Sequence, residues 1–406
     1  MIHWSAEAHR RRLQNIGLAE RSVRRALRRH LIRDYLPGQV TYNLGEYPCA
    51  RPYEPSEADE RLLDEYRDAG VELIQVHEEW NDAQRLFGGD KFSPVNPSGL
   101  RRFLEMAHSR GLKVLLYAST GFFEMRDPDF RPEWARPGNV LAEAWYQYAR
   151  CSPASHSWRA YLLPRLLGLM DEWGADGIYN DCGYNRAAWN LPPTPDEVLA
   201  FEEGPDHDAA IADLLALVYA EVKRRGGIFK LHFSGTGAPR TGLRTYDYLW
   251  VGEGVQDLDA QREVVKHHEP YVIPGFDLSR AQPAGEDELY LHTIPYLQFP
   301  LLIGGQPVTG ERMMQPGLEY KDEATDFWTR HMRAIYRYAQ EHPEGPHSYG
   351  WWDSVPGRPD AKERFFHWLR LYRPMVTEGT WAYLEITESD LFRAKLPEGV
   401  VASLFA

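Results

Sequence analysis

The sequence predicts an α/β fold, a (β/α)8 TIM barrel with an N-terminal helical extension and a short C-terminal β-rich segment, and three observations carry that expectation. From residue 40 onward, short β-branched or aromatic runs alternate with amphipathic stretches of helical period, the pattern made by βα units around a parallel sheet. The apolar runs number eight, at residues 40–44, 71–77, 113–118, 177–180, 228–233, 248–251, 271–274 and 301–304, the number that closes a barrel. A chain of 406 residues with 43% hydrophobic side chains also has the length to bury one large core. An open, doubly wound sheet is the alternative. It is disfavoured because no glycine-rich dinucleotide fingerprint follows the first run.

The elements follow in order. Residues 1–36 hold nine arginines between Arg10 and Arg33, with Leu13, Ile16, Val23, Leu27 and Leu31 at helical spacings. That pattern predicts an amphipathic helix or helix pair packed on the outside of the barrel. Helices are expected at 56–69, capped by Ser56, and at 97–110, stopped by Gly111. Two more, at 157–173 and 206–225, each run into a glycine, Gly174 and Gly226. After the eighth run come helices at 322–341 and 361–370, then a tail at 381–405 that reads as short strands. The chain thus divides into an extension (1–36), a catalytic barrel (37–375) and a β-rich segment (376–406). The later strands, from the sixth onward, are joined by the shortest helices.

Composition removes several function classes. A formal net charge of -13 argues against nucleic acid as partner, because phosphate recognition needs a basic surface. Cys49, Cys151 and Cys182 are widely spaced and odd in number, and so make neither a zinc ribbon nor a disulfide framework. No apolar run approaches the roughly 18 residues of a membrane span, and the first residues lack a signal-peptide core. The expectation is a cytoplasmic protein with no membrane partner, export remaining open if a signal was trimmed. Thirteen Trp, 23 Tyr and 16 Phe serve mainly as core, although their flat faces also suit sugar rings.

Barrels of this class assemble their sites from the carboxyl ends of several strands, and here those ends are polar. The first run leads into Asn43 and Glu46, the second into His77, Glu78, Glu79, Trp80 and Asp82, and the third into Tyr117, Ser119 and Thr120. The fourth gives Asn180, Asp181 and Tyr184; the fifth Lys230, His232 and Ser234; the sixth Glu253; the seventh Asp277 and Arg280. A single such carboxylate is usually a solvated loop charge. Acids from at least four strands gathered in one crevice repel one another, a cost that a ligand or chemistry explains. His77, Glu79, His232 and Asp277 could instead form a metal set. The absence of a His-x-His pair at the end of the first run places that reading second, so no metal and no cofactor are expected. His267 and His268 read as exposed.

Three segments carry a resemblance. HEEW at residues 77–80, GLKVLLYASTG at 111–121 and WGADGIYNDCG at 173–183 are similar to the second-, third- and fourth-strand segments of the retaining α-glycosidase (β/α)8 barrels that include the α-galactosidases and α-N-acetylgalactosaminidases. The similarity covers about residues 71–184, more vaguely to Asp277. Two positions depart from that clan: Tyr179 stands where it usually has lysine, and Glu253 where its acid is commonly aspartate. The resemblance implies hydrolysis of a glycosidic bond, on an oligosaccharide or glycoside and through an α linkage, with Asp181 as nucleophile. Glu253 would be the acid and then the base. His77, Glu78, Glu79, Trp80, Tyr117, Asn180, Tyr184, Lys230, His232, Asp277 and Arg280 are the expected substrate-binding residues. A metal-assisted hydrolase and a catalytically silent sugar-binding barrel are the rival readings, and assembly into a homo-oligomer is left open.

Overall fold

The computed structural model describes residues 6–7, 10, 14, 35–44, 53–77, 80–81, 92–125, 127–142, 147–181, 207–233, 245–251, 272–274, 290, 293–294, 297–305 and 361–377. The arginine-rich extension, apart from six residues, the expected helix at 322–341, the β-rich tail, Cys49, Cys182, His267 and His268 lie outside them.

Eleven strands are described: β1 Gln39–Asn43, β2 Leu73–Val76, β3 Lys113–Ser119, β4 Phe122–Glu124, β5 Ala135–Ala142, β6 Gln147–Cys151, β7 Gly177–Asp181, β8 Ile228–Phe233, β9 Tyr248–Val251, β10 Val272–Pro274 and β11 Leu302–Gly305. The helices are α1 Glu57–Ala69, α2 Pro97–His108, α3 His156–Asp171, α4 His207–Arg224 and α5 Ala361–Thr377. Eight strands form one parallel sheet in the order β10-β9-β8-β7-β3-β2-β1-β11, and they coincide with the eight apolar runs. Three more, in the order β4-β6-β5, form an antiparallel sheet inserted between β3 and α3.

The large sheet is curled. Lys230 on β8 donates from Nζ to Gln39 Oε1 of β1 at 3.0 Å, although β7, β3 and β2 lie between these strands. Four strand spacings in a flat sheet amount to roughly 19 Å, beyond the reach of the two side chains. Tyr248 of β9 likewise accepts from Leu36 N, just before β1, at 2.9 Å. The two outermost strands, β10 and β11, share no pairing among the described residues.

Side chains of β1 alternate across the sheet. Tyr42 faces outward, its ring 4.9 Å from Phe103 of α2 and its hydroxyl donating to Asp59 of α1. Gln39, Thr41 and Asn43 therefore face the inside of the curl. The helices start where local chemistry supplies a cap. Ser56 and Asp59 form a capping box at α1, Asn96 Oδ1 accepts from Gly99 N at α2, and Ser155 Oγ accepts from Trp158 N at α3. Gly70, at φ 90°, ends α1 in the left-handed conformation. Two strand-leading aspartates close the opposite rim. Asp176 accepts from Val114 N of β3, and Asp247 from Phe229 N of β8, so each covers the free amide of the neighbouring strand.

Two expectations are corrected. The helix expected at 361–370 runs on to Thr377, past the boundary at 375; Phe365, Leu369, Tyr372 and Val376 give it one continuous buried stripe. The antiparallel insertion was not anticipated, because β5 is interrupted by Pro137 and Gly138 rather than bounded by them. Trp134 and Trp158, with rings 5.0 Å apart, pin it to α3. No helix among the described residues is long and apolar enough to cross a membrane.

Candidate active site

At the middle of the sheet, β7 ends in Asp181, with β3 and β8 on either side. The registers place Tyr117 opposite Tyr179, Tyr179 opposite Lys230, and His232 opposite Trp250. Because alternate residues share a face, Tyr179 and Asp181 of β7 and Lys230 and His232 of β8 line the inside of the curl in two successive layers.

The upper layer is built around the carboxylate. Tyr117 donates its hydroxyl to Asp181 Oδ2 at 2.7 Å, and His232 Nδ1 meets Asp181 Oδ1. The second contact is an ion pair whenever the imidazole is protonated. The carboxylate is thus gripped on one oxygen from β3 and on the other from β8. Its side chain retains 14% exposure, His232 only 8%.

Rings complete the enclosure. His232 stacks on Tyr179, with centroids 6.1 Å apart, and meets Trp250 edge-on at 4.2 Å. His77, from the end of β2, lies 5.3 Å from the Tyr117 ring and 5.8 Å from Tyr179. The layer is largely buried, and it gathers ring faces, imidazole nitrogens and one carboxylate.

Four of the expected residues, His77, Tyr117, Asp181 and His232, are brought together. Three others are described but placed elsewhere. Trp80 is fully buried and commits its indole N–H to the Tyr117 carbonyl at 2.9 Å, bracing β3. Asn180, also fully buried, accepts from Thr120 N at 2.9 Å and donates to Thr120 Oγ1 at 3.0 Å, which ties β7 to the end of β3. Lys230 lies one layer beneath the carboxylate, fully buried, and burial holds its ammonium well below the usual lysine range. Glu78, Glu79, Tyr184, Glu253, Asp277 and Arg280 lie outside the described residues. Tyr179 and Trp250 were not anticipated. Counting back two residues from Asp181, and across from His232, would have found them, since the site repeats at the strand period.

Among the described residues no group of three or more His, Cys, Asp or Glu is placed to hold a metal ion. Of the expected metal set, Glu79 and Asp277 lie outside the described residues. The arrangement that is described can hold an ionised carboxylate in one orientation beside a titratable imidazole.

No family model matches the chain, and comparison with curated proteins finds no match. Solved structures to which it is similar include a GH36 alpha-galactosidase from Geobacillus stearothermophilus, at 13% identity over 75% of this chain and 42% of that one, with a TM-score of 0.47. An alpha-galactosidase from Thermus thermophilus is 18% identical over 82% of this chain and 61% of its own, with a TM-score of 0.43. A cycloisomaltooligosaccharide glucanotransferase from Paenibacillus sp. is 13% identical over 61% of this chain and 39% of its own, with a TM-score of 0.45. The chain spans between about two fifths and three fifths of the length of these proteins.

Proposed function

We propose that this chain is a retaining glycoside hydrolase acting on an α-linked sugar, with Asp181 as nucleophile, and that its curled sheet closes into a (β/α)8 barrel through β10 and β11. The observation that carries the reading is the two-sided grip on Asp181 at the carboxyl end of the central strand. A carboxylate that must attack an anomeric carbon has to stay ionised and keep a fixed lone-pair direction. Donors on both oxygens favour the charged form and hold that direction.

In this mechanism an Asp181 oxygen bonds to the anomeric carbon as the glycosidic oxygen leaves, and Glu253 gives that oxygen its proton. Glu253 then takes a proton from water, which attacks the same carbon and releases Asp181. The two carboxyl groups of such a pair stand about 5 to 5.5 Å apart. His77 and His232 face the sugar as hydroxyl partners, and Glu78, Glu79, Tyr184, Asp277 and Arg280 are proposed to complete its binding. The groups named suffice without a cofactor.

The test is turnover of paired aryl α- and β-glycosides, with product stereochemistry followed by NMR. Asp181→Asn should abolish turnover of every substrate. Glu253→Gln should spare the first step on substrates with very good leaving groups, which need no proton. Azide added to Asp181→Gly should restore turnover and yield a glycosyl azide of inverted configuration. Undiminished activity in Asp181→Asn would remove the assignment.

A further inference from the structure

We propose that Lys230 is a positioning residue: anchored on Gln39 one layer beneath Asp181 and His232, its side chain, while protonated, places a positive charge that sets where this pair ionises. The placement follows from the register. Lys230 pairs with Tyr179, which precedes Asp181 by two residues on the same face of β7, and Lys230 itself precedes His232 by two residues on the same face of β8. Two strand residues span about 6.6 Å, so the charge lies on the order of 10 Å or less below the pair.

The layer around Lys230 offers its amine one amide oxygen and one ring. Its Nζ donates to Gln39 Oε1 at 3.0 Å and lies 5.9 Å from the Tyr179 ring centroid. Two more oxygens of the same interior, Thr41 Oγ1 and Gln75 Oε1, are buried without a hydrogen-bond partner among the described residues. They sit opposite each other in the pairing of β1 with β2. Acceptors left over in a dry interior are costly, and a protonated amine, directly or through a water, is the donor this layer offers. Burial weakens the hold of Lys230 on its proton, so the charge is lost at lower pH than on a surface lysine. No carboxylate pairs with it among the described residues.

Among the described residues, the titratable groups of this layer and the one above it are Asp181 and Tyr179 on β7, His232 on β8, Tyr248 on β9, Tyr117 on β3 and His77 at the end of β2. A cation beneath them stabilises the Asp181 carboxylate and disfavours the His232 imidazolium, which lowers the proton affinity of both. The inference concerns the ionisation of the pair and stands independently of the reaction. Its consequence for a nucleophilic Asp181 rests on the glycosidase reading.

The experiment is an NMR titration of the His232 imidazole, assigned by its absence in His232→Gln, in the full chain and in Lys230→Met. Removing the charge should raise the His232 pKa by about half a unit to one unit, the size of a Coulomb interaction at this separation in a partly polarisable interior. A packing role alone would lower the melting temperature and leave the titration in place. An unchanged or lowered His232 pKa overturns the proposal. Should Lys230→Met fail to fold, Lys230→Gln serves the same comparison, with the same outcomes on either side. Because the readout is a titration, a chain without glycosidase activity can still pass this test, and an active one can fail it.

Discussion

Asp181 is contacted from both neighbouring strands, by the Tyr117 hydroxyl of β3, which donates to one oxygen, and by the His232 imidazole of β8 at the other. A hydroxyl donating to a charged oxygen is worth about 1.5 to 3 kcal/mol, more than its neutral counterpart. Tyr117→Phe keeps the ring that packs on Tyr179 and His77 but removes this donor. On the proposed glycosidase reading, kcat on an activated aryl glycoside should fall roughly 10- to 100-fold, with circular dichroism and melting temperature near those of the parent. A variant that loses its fold along with its activity would show that Tyr117 acts through packing instead. Trp80 illustrates the opposite case. Its burial and its bond to the Tyr117 carbonyl make it a support for the residue that touches the carboxylate.

At the level of elements, the strands approach so closely that side chains are excluded at some positions. A Cβ placed on Gly177 would lie 1.8 Å from the Ile228 carbonyl oxygen, a backbone atom that cannot move without parting β7 from β8. Gly177→Ala should therefore lower the stability measured by urea denaturation by about 1 to 3 kcal/mol or more. A midpoint equal to that of the parent would contradict the close approach. On the outer layer, Arg225 bridges α3 and α4 by gripping Asp171 at 2.8 Å through two nitrogens and Glu221 at 2.7 Å. Arg224 and then Arg225 hold Glu221 at about 2, well under its ordinary 4.5, and Arg225 lowers Asp171 likewise. A carboxyl whose pKa is lowered by folding stabilises the fold above its ordinary value and loses that contribution as pH falls through the folded one. The melting temperature should therefore drop between pH 4.5 and 2, and in Arg225→Met this acid-side drop should be shallower. Both carboxyls face solvent, so added salt should narrow the difference. Parallel curves for parent and variant would exclude this network as a source of acid lability.

For the whole molecule, the decisive contacts join strands far apart in the sheet. Lys230 with Gln39, and Tyr248 with Leu36, require the sheet to bend back on itself. The same bending brings residues from β2, β3, β7, β8 and β9 around one carboxylate. Closure through β10 and β11 has a direct consequence for hydrogen exchange. In an open sheet, the amides of β11 that point away from β1 would exchange freely, alternating with protected ones. In a closed barrel, the amides of residues 302–305 and of Val272 and Ile273 should all exchange as slowly as those of β2. Alternating fast amides in these two segments would mean that the sheet stays open.

The positions of the eight parallel strands, the caps at Ser56 and Gly70, and the strand ends that carry polar residues are written locally. Each depends on periodicity, a side chain's reach to its own backbone, or a glycine's access to positive φ. Asp181, His77, Tyr117 and His232 could be proposed for the same reason, since a strand's end marks where its last side chains emerge. The sequence could not tell which polar residues at those ends reach the interior. Asn180 and Asp181 are neighbours, yet the alternation of the strand sends one to Thr120 and the other to the site. Lys230 and Gln39 are separated by 191 positions, and only the curl of the sheet brings them within 3.0 Å. The antiparallel insertion was equally hidden, because its strands are stabilised by one another and by Trp134 against α3 rather than by any period of their own. Local patterns therefore determined the elements and the candidate residues. Which of those residues face one another was decided by the bending of the sheet, a property of all its strands together.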